Sequence, residues 1–80
     1  MLTVNVVQKF GVNDFLERFW VLPPQVVEPL RACVEVTENG WVMNEWPMTE
    51  QIANIVQPWV DEPIDVETAV WFVGSWQERG

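Results

Sequence analysis

The sequence predicts an α+β domain, a four-stranded antiparallel sheet with two helices on one face. Three observations carry that prediction. The N-terminus alternates apolar and polar residues. An Asn39-Gly40 pair sits between two further alternating segments. A 3.6-residue apolar stripe follows Thr49.

Leu2, Val4 and Val6 alternate with Thr3 and Asn5, which predicts a first strand ending near Phe10-Gly11. Asp14 with Glu17 three residues later reads as a capping box. Phe15, Leu16, Phe19 and Trp20 behind it fall on one helical stripe, and Pro23-Pro24 closes that predicted helix. Asn39-Gly40 supplies the two positive-φ positions of a type I′ turn, joining strands over Leu30–Glu38 and Trp41–Trp46. That register pairs Val36 with Met43 and Val34 with Glu45 on an apolar face. It sends Glu35 with Asn44, and Cys33 with Trp46, to a polar one.

Thr49 caps a second helix carrying Met48, Ile52, Ile55, Val56 and Trp59 on one stripe, and Pro58 ends it. Asp61-Glu62-Pro63 reads as a turn. The segment 68–73 (TAVWFV) is dense in β-branched and aromatic residues and reads as a strand. A helix behind Asp65, with Val66, Ala69, Val70, Val73 and Trp76 on its stripe, is the competing reading. The resulting order, β-α-β-β-α-β, is that of ferredoxin-like domains.

With 80 residues, the chain makes one domain, residues 1–80, and its 49% hydrophobic content supports a packed core. The N-terminus has no basic leader, and no apolar run reaches the roughly 20 residues of a membrane helix. Cys33 is the lone cysteine, so no internal disulfide forms, which fits a reducing, cytoplasmic setting. A formal charge of −8 disfavours direct contact with nucleic acid or anionic lipid. If charge matters to function, the partner is basic.

The chain offers little to catalysis. It has no His and no Tyr, and Lys9 is its only lysine. Cys33 has no His to activate it, and Ser75 lacks a Gly-x-Ser-x-Gly elbow. The glycines are scattered, so no phosphate loop exists. Asp61, Glu62, Asp65 and Glu67 lack the spacing of a calcium loop, so no metal or cofactor is expected. An enzyme is the least expected class.

Charge is segregated along the chain. From Ala32 to Glu78 there are nine acids and no base. Negative charge promotes solubility in its own right, which is the competing reading; folding gains nothing from the self-repulsion, and a surface for an electropositive partner would look this way. The expected contact surface comprises Glu35, Glu38, Glu45, Glu50, Asp61, Glu62, Asp65 and Glu67, with Trp46 as its desolvated anchor. In size, acidity and absence of catalytic residues the chain resembles the small acidic inhibitors carried by phages and mobile elements, anti-CRISPR proteins among them. No motif carries the resemblance. It implies a nucleic-acid mimic that blocks a basic channel on a nucleic-acid-binding protein or nuclease complex. The alternative is a structural or assembly subunit, or an obligate homodimer, that uses its surplus Trp and Phe as an apolar interface.

Overall fold

The computed structural model describes residues 2–78. An open four-stranded antiparallel sheet carries two short helices. The elements run β1 (Leu2–Phe10), β2 (Leu16–Leu22), α1 (Val27–Leu30), β3 (Trp46–Pro47), α2 (Glu50–Val56) and β4 (Val70–Glu78). Across the sheet the order is β2-β1-β4-β3. The architecture is α+β as expected, but the order of elements is ββαβαβ.

The difference begins at the first expected helix. Asp14 has φ +60, in the left-handed region, so it serves as a turn residue and not as a helix cap. The Gly11 N–H donates to the Phe15 carbonyl at 3.0 Å, closing a hairpin connection. The segment beyond it pairs with β1, Trp20 opposite Val7 and Arg18 opposite Lys9. Phe, Trp and Val are good strand formers, and here apolar residues occupy both faces. That hides the alternation and imitates a helical stripe. Pro23-Pro24 therefore ends a strand, with Pro24 opening a 3-10 turn that leads into α1.

The central hairpin also differs. Only Gly40, at φ +86, has a positive φ in the connection, so the turn is not type I′. Three residues, Glu38 to Gly40, link Thr37 to Trp41. The Thr37 N–H donates to the Trp41 carbonyl at 2.9 Å, and the Gly40 N–H to the Thr37 carbonyl at 3.0 Å. The extra residue moves the register by one, so Val36 pairs with Val42 instead of Met43. Leu30 to Val34 is a helical turn, its Val34 N–H donating to the Leu30 carbonyl at 3.0 Å. The expected long strands reduce to one bridge and the two-residue β3.

Strand β4 settles the C-terminal segment as a strand, paired with β1 along its length. Helix α2 follows its cap, with the Thr49 hydroxyl accepting the Ile52 N–H at 3.2 Å. The core lies on one side of the sheet. Val7, Leu22, Trp71 and Val73 pack there with Val26 and Leu30 around α1, and Ile52 and Val56 of α2.

Candidate functional site

The helix side of the sheet carries the internal charge. Alternation places Lys9 and Arg18 beside the stacked Trp20 and Trp71, whose rings lie 5.6 Å apart. Lys9 Nζ donates to Glu62 Oε2 at 2.8 Å. Arg18 donates to Asp61 Oδ1 at 2.9 Å and to Glu62 Oε1 at 3.2 Å. Trp20 Nε1 donates to the same Asp61 oxygen at 2.8 Å. These bonds strap the 61–65 loop to the sheet. The Trp20 bond, then the Arg18 charge, hold the Asp61 carboxyl below its ordinary range. The Lys9 bond does the same for Glu62, and Glu62 in turn raises Lys9.

The other expected contact residues are distributed around this frame. Glu50, Asp65 and Glu67 gather along a shallow groove between α2 and the 64–67 loop. There Asp65 Oδ1 accepts the Glu67 N–H at 2.9 Å, and the Asp65 carbonyl accepts Trp71 Nε1 at 3.1 Å. Glu35 borders a separate depression beside Arg31 and Met43. Glu38 stands at the tip of the 35–43 arm, on the rim of a cavity of about 870 Å³ walled by Trp41 and Trp59. Glu45 lies over Gly74, its Cγ 3.4 Å from where a Cβ would stand. Trp46 is not on a polar face. It pairs with Val73, packs against the core, and donates its indole N–H to the Met43 carbonyl.

One class of residue escaped the sequence reading, the groups that dock the arm. Asn5, buried in β1, bonds both Gly40 and Val42, and the Ser75 hydroxyl donates to the Val42 carbonyl at 2.8 Å. Arg31 donates to the carbonyls of Val36 at 3.3 Å and Thr37 at 3.2 Å. The signal for Asn5 was present, a carboxamide in the middle of an apolar strand.

Among the described residues, the surface charge that remains is of one sign. Lys9 and Arg18 are spent on Asp61 and Glu62, and Arg31 on Glu28 at 3.4 Å and the arm carbonyls. Asp14, Glu17, Glu35, Glu38, Glu45, Glu50, Asp65 and Glu67 are all exposed, and none has an ion-pair partner among the described residues.

The opposite sheet face has a different character. Alternation places Val4, Val6, Gln8 and Phe10 of β1 on it, with Phe19 and Val21 of β2 and Phe72, Gly74 and Trp76 of β4. None of these is charged, although the exposed Glu45 lies over Gly74 on this side, and both helices pack on the other.

Among the described residues no three His, Cys, Asp or Glu side chains form a group that could hold a metal ion, and no helix is long and apolar enough to cross a membrane. Cys33 is half-buried against the core. No protein-family model matches the chain, and neither a curated protein nor a solved structure matches it.

Proposed function

We propose that this protein works without catalysis, by binding and blocking a basic protein. The observation that carries this reading is the one-signed free surface. Each described base is bound internally, while eight exposed carboxylates have no ion-pair partner among the described residues. Internal pairing of Lys9 and Arg18 leaves the acidic surplus spread over the rest of the described surface, where it steers an electropositive partner toward the protein. A nucleic-acid-binding protein suits this best, because its ligand channel is already arranged for closely spaced negative charge. Inhibition then follows from occupancy of that channel, the mode used by phage-type nucleic-acid mimics and anti-CRISPR proteins. The cytoplasm is the setting in which the single Cys33 thiol stays reduced.

The test is capture from a lysate with elution along a salt gradient, followed by competition with nucleic acid for the identified protein. Elution should come early in the gradient, and nucleic acid should displace the bound protein. Binding that resists salt, or that nucleic acid leaves untouched, would sink this reading.

A further inference from the structure

We propose that the cavity between α1 and the tip of the 35–43 arm receives an arginine side chain offered by the basic partner. The supplier of that arginine rests on the functional reading above; the site itself does not.

The molecule twice builds one three-part contact, an indole, a cation and a carboxylate. The Arg18 guanidinium lies 4.5 Å from the centre of the Trp20 ring and bonds Asp61. Lys9 Nζ lies 5.6 Å from the centre of the Trp71 ring and bonds Glu62. In each, the negative face of the ring and the carboxylate attract the same cation.

The cavity holds the indole and the carboxylate without the cation. Trp41 and Trp59 wall it, both half-buried, so each keeps some ring surface open. Glu38 stands exposed at the rim, with no ion-pair partner among the described residues. The one base in the lining, Arg31, is engaged elsewhere. Its Nε donates to Glu28, and its two Nη atoms donate to the carbonyls of Val36 and Thr37. Trp20, Trp46 and Trp71 donate their indole N–H groups to oxygens of the chain. Trp41 and Trp59 donate theirs to none among the described residues.

The lining selects the ligand. Glu28 and Glu38 against Arg31 leave one negative charge in excess, which turns away an anion and favours a single cation. Val4, Pro23 and Val27 offer hydrocarbon to an aliphatic stem. A guanidinium suits the head better than an ammonium. It is planar and weakly hydrated, so it stacks on an indole while its edge N–H groups reach a carboxylate. The volume, about 870 Å³, exceeds that of one side chain and admits the residues flanking the arginine as well.

Titrating Nα-acetyl-arginine amide into ¹⁵N-labelled protein tests the site, read at indole N–H signals assigned by single Trp→Phe variants. The Trp41 and Trp59 signals should shift saturably while those of Trp20, Trp46 and Trp71 stay in place. For so small a ligand the dissociation constant should be on the order of millimolar. Nα-acetyl-norleucine amide, which lacks the charge, should bind about tenfold more weakly. Glu38→Gln, at an exposed position, should weaken arginine amide about threefold or more with the circular dichroism unchanged. Absence of a saturable shift at Trp41 and Trp59, or equal binding of the norleucine amide, overturns the proposal. So does a captured basic partner whose affinity Glu38→Gln and Trp41→Leu both leave unchanged. An Arg79→Gln variant that by itself moves both signals and tightens arginine amide also overturns it, because the chain's own arginine would then be the occupant. Arginine amide bound as expected, with no basic protein captured, upholds the site and sinks the functional reading instead.

Discussion

Asn5 holds Val42. From the central strand its Oδ1 accepts the Val42 N–H at 2.9 Å, and its Nδ2 donates to the Gly40 carbonyl at 2.8 Å. One buried carboxamide thus holds the chain on either side of Trp41, at the downstream end of the turn that presents Glu38, and satisfies two backbone groups that no strand partner reaches. Asn5→Ala should cost about 2–4 kcal/mol, because those two groups lose their partners inside the protein. Denaturant unfolding measures the loss. Hydrogen exchange at the Val42 amide should accelerate more than exchange in α2, which marks the arm as the part released.

The Lys9–Glu62–Arg18–Asp61 cluster sets a pH window. Asp61 and Glu62 have folded pKa values below their ordinary 3.8 and 4.5. Their contribution is therefore present above those ordinary values and lost as pH falls through the lowered ones. Lys9 is raised above 10.5, so its contribution is complete below 10.5 and lost as pH rises through the raised value. Urea midpoints should accordingly be flat from about pH 5 to about pH 10 for this cluster and fall on either side. Glu62→Gln, compared with wild type across that range, should flatten both limbs.

Gln8 offers the opposite sign. Its Oε1 is the one buried side-chain oxygen or nitrogen without a hydrogen bond among the described residues. Replacing the carboxamide with a side chain of similar shape, Gln8→Met, should stabilise the fold by about 1 kcal/mol. In a domain of this size that is a rise in melting temperature of about 4–8 °C. A scanning calorimeter reads it directly.

The acidic surface and Trp46 should separate in their effects. Glu35, Glu38 and Glu45 are exposed and have no ion-pair partner among the described residues, so reversing all three to Lys should change stability by less than about 1 kcal/mol. Affinity for the captured partner should meanwhile fall about 10- to 100-fold, through slower association. Trp46→Ala should do the reverse. Its ring packs against the core, so the variant should lose about 2 kcal/mol of stability while association stays fast. Stopped-flow association and thermal melts on the same variants make the comparison.

Strands whose signals were purely local were legible in the sequence, and so was α2. The ends of β1 follow from alternation and Gly11, and α2 begins at its Thr49 cap. β2 was not legible, because Leu16, Phe19 and Trp20 satisfy a helical stripe as well as a two-faced strand. Only the left-handed backbone at Asp14 and the pairing with β1 decide between them. The arm's turn was visible at Asn39-Gly40, but its register depends on one residue's φ. For the site, the surplus of acid was plain. Its partial neutralisation was not, since Lys9 and Glu62 lie 53 positions apart and meet only when the sheet brings them together.

Strand order has a consequence for how the molecule is made. β1 and β4 form the middle of the sheet, from Leu2 opposite Glu78 to Phe10 opposite Val70. A ribosome releases β1 first and β4 last, and the roughly 60 residues between them take about 3–12 s to synthesise at about 5–20 residues per second. Throughout that interval β1 and β2 can form only a lone hairpin with apolar side chains on both faces, too little to be stable in water. The nascent protein thus waits with its stickiest segment exposed. The segment made during the wait is dense in carboxylates, and their mutual repulsion keeps neighbouring unfinished chains apart until β4 arrives.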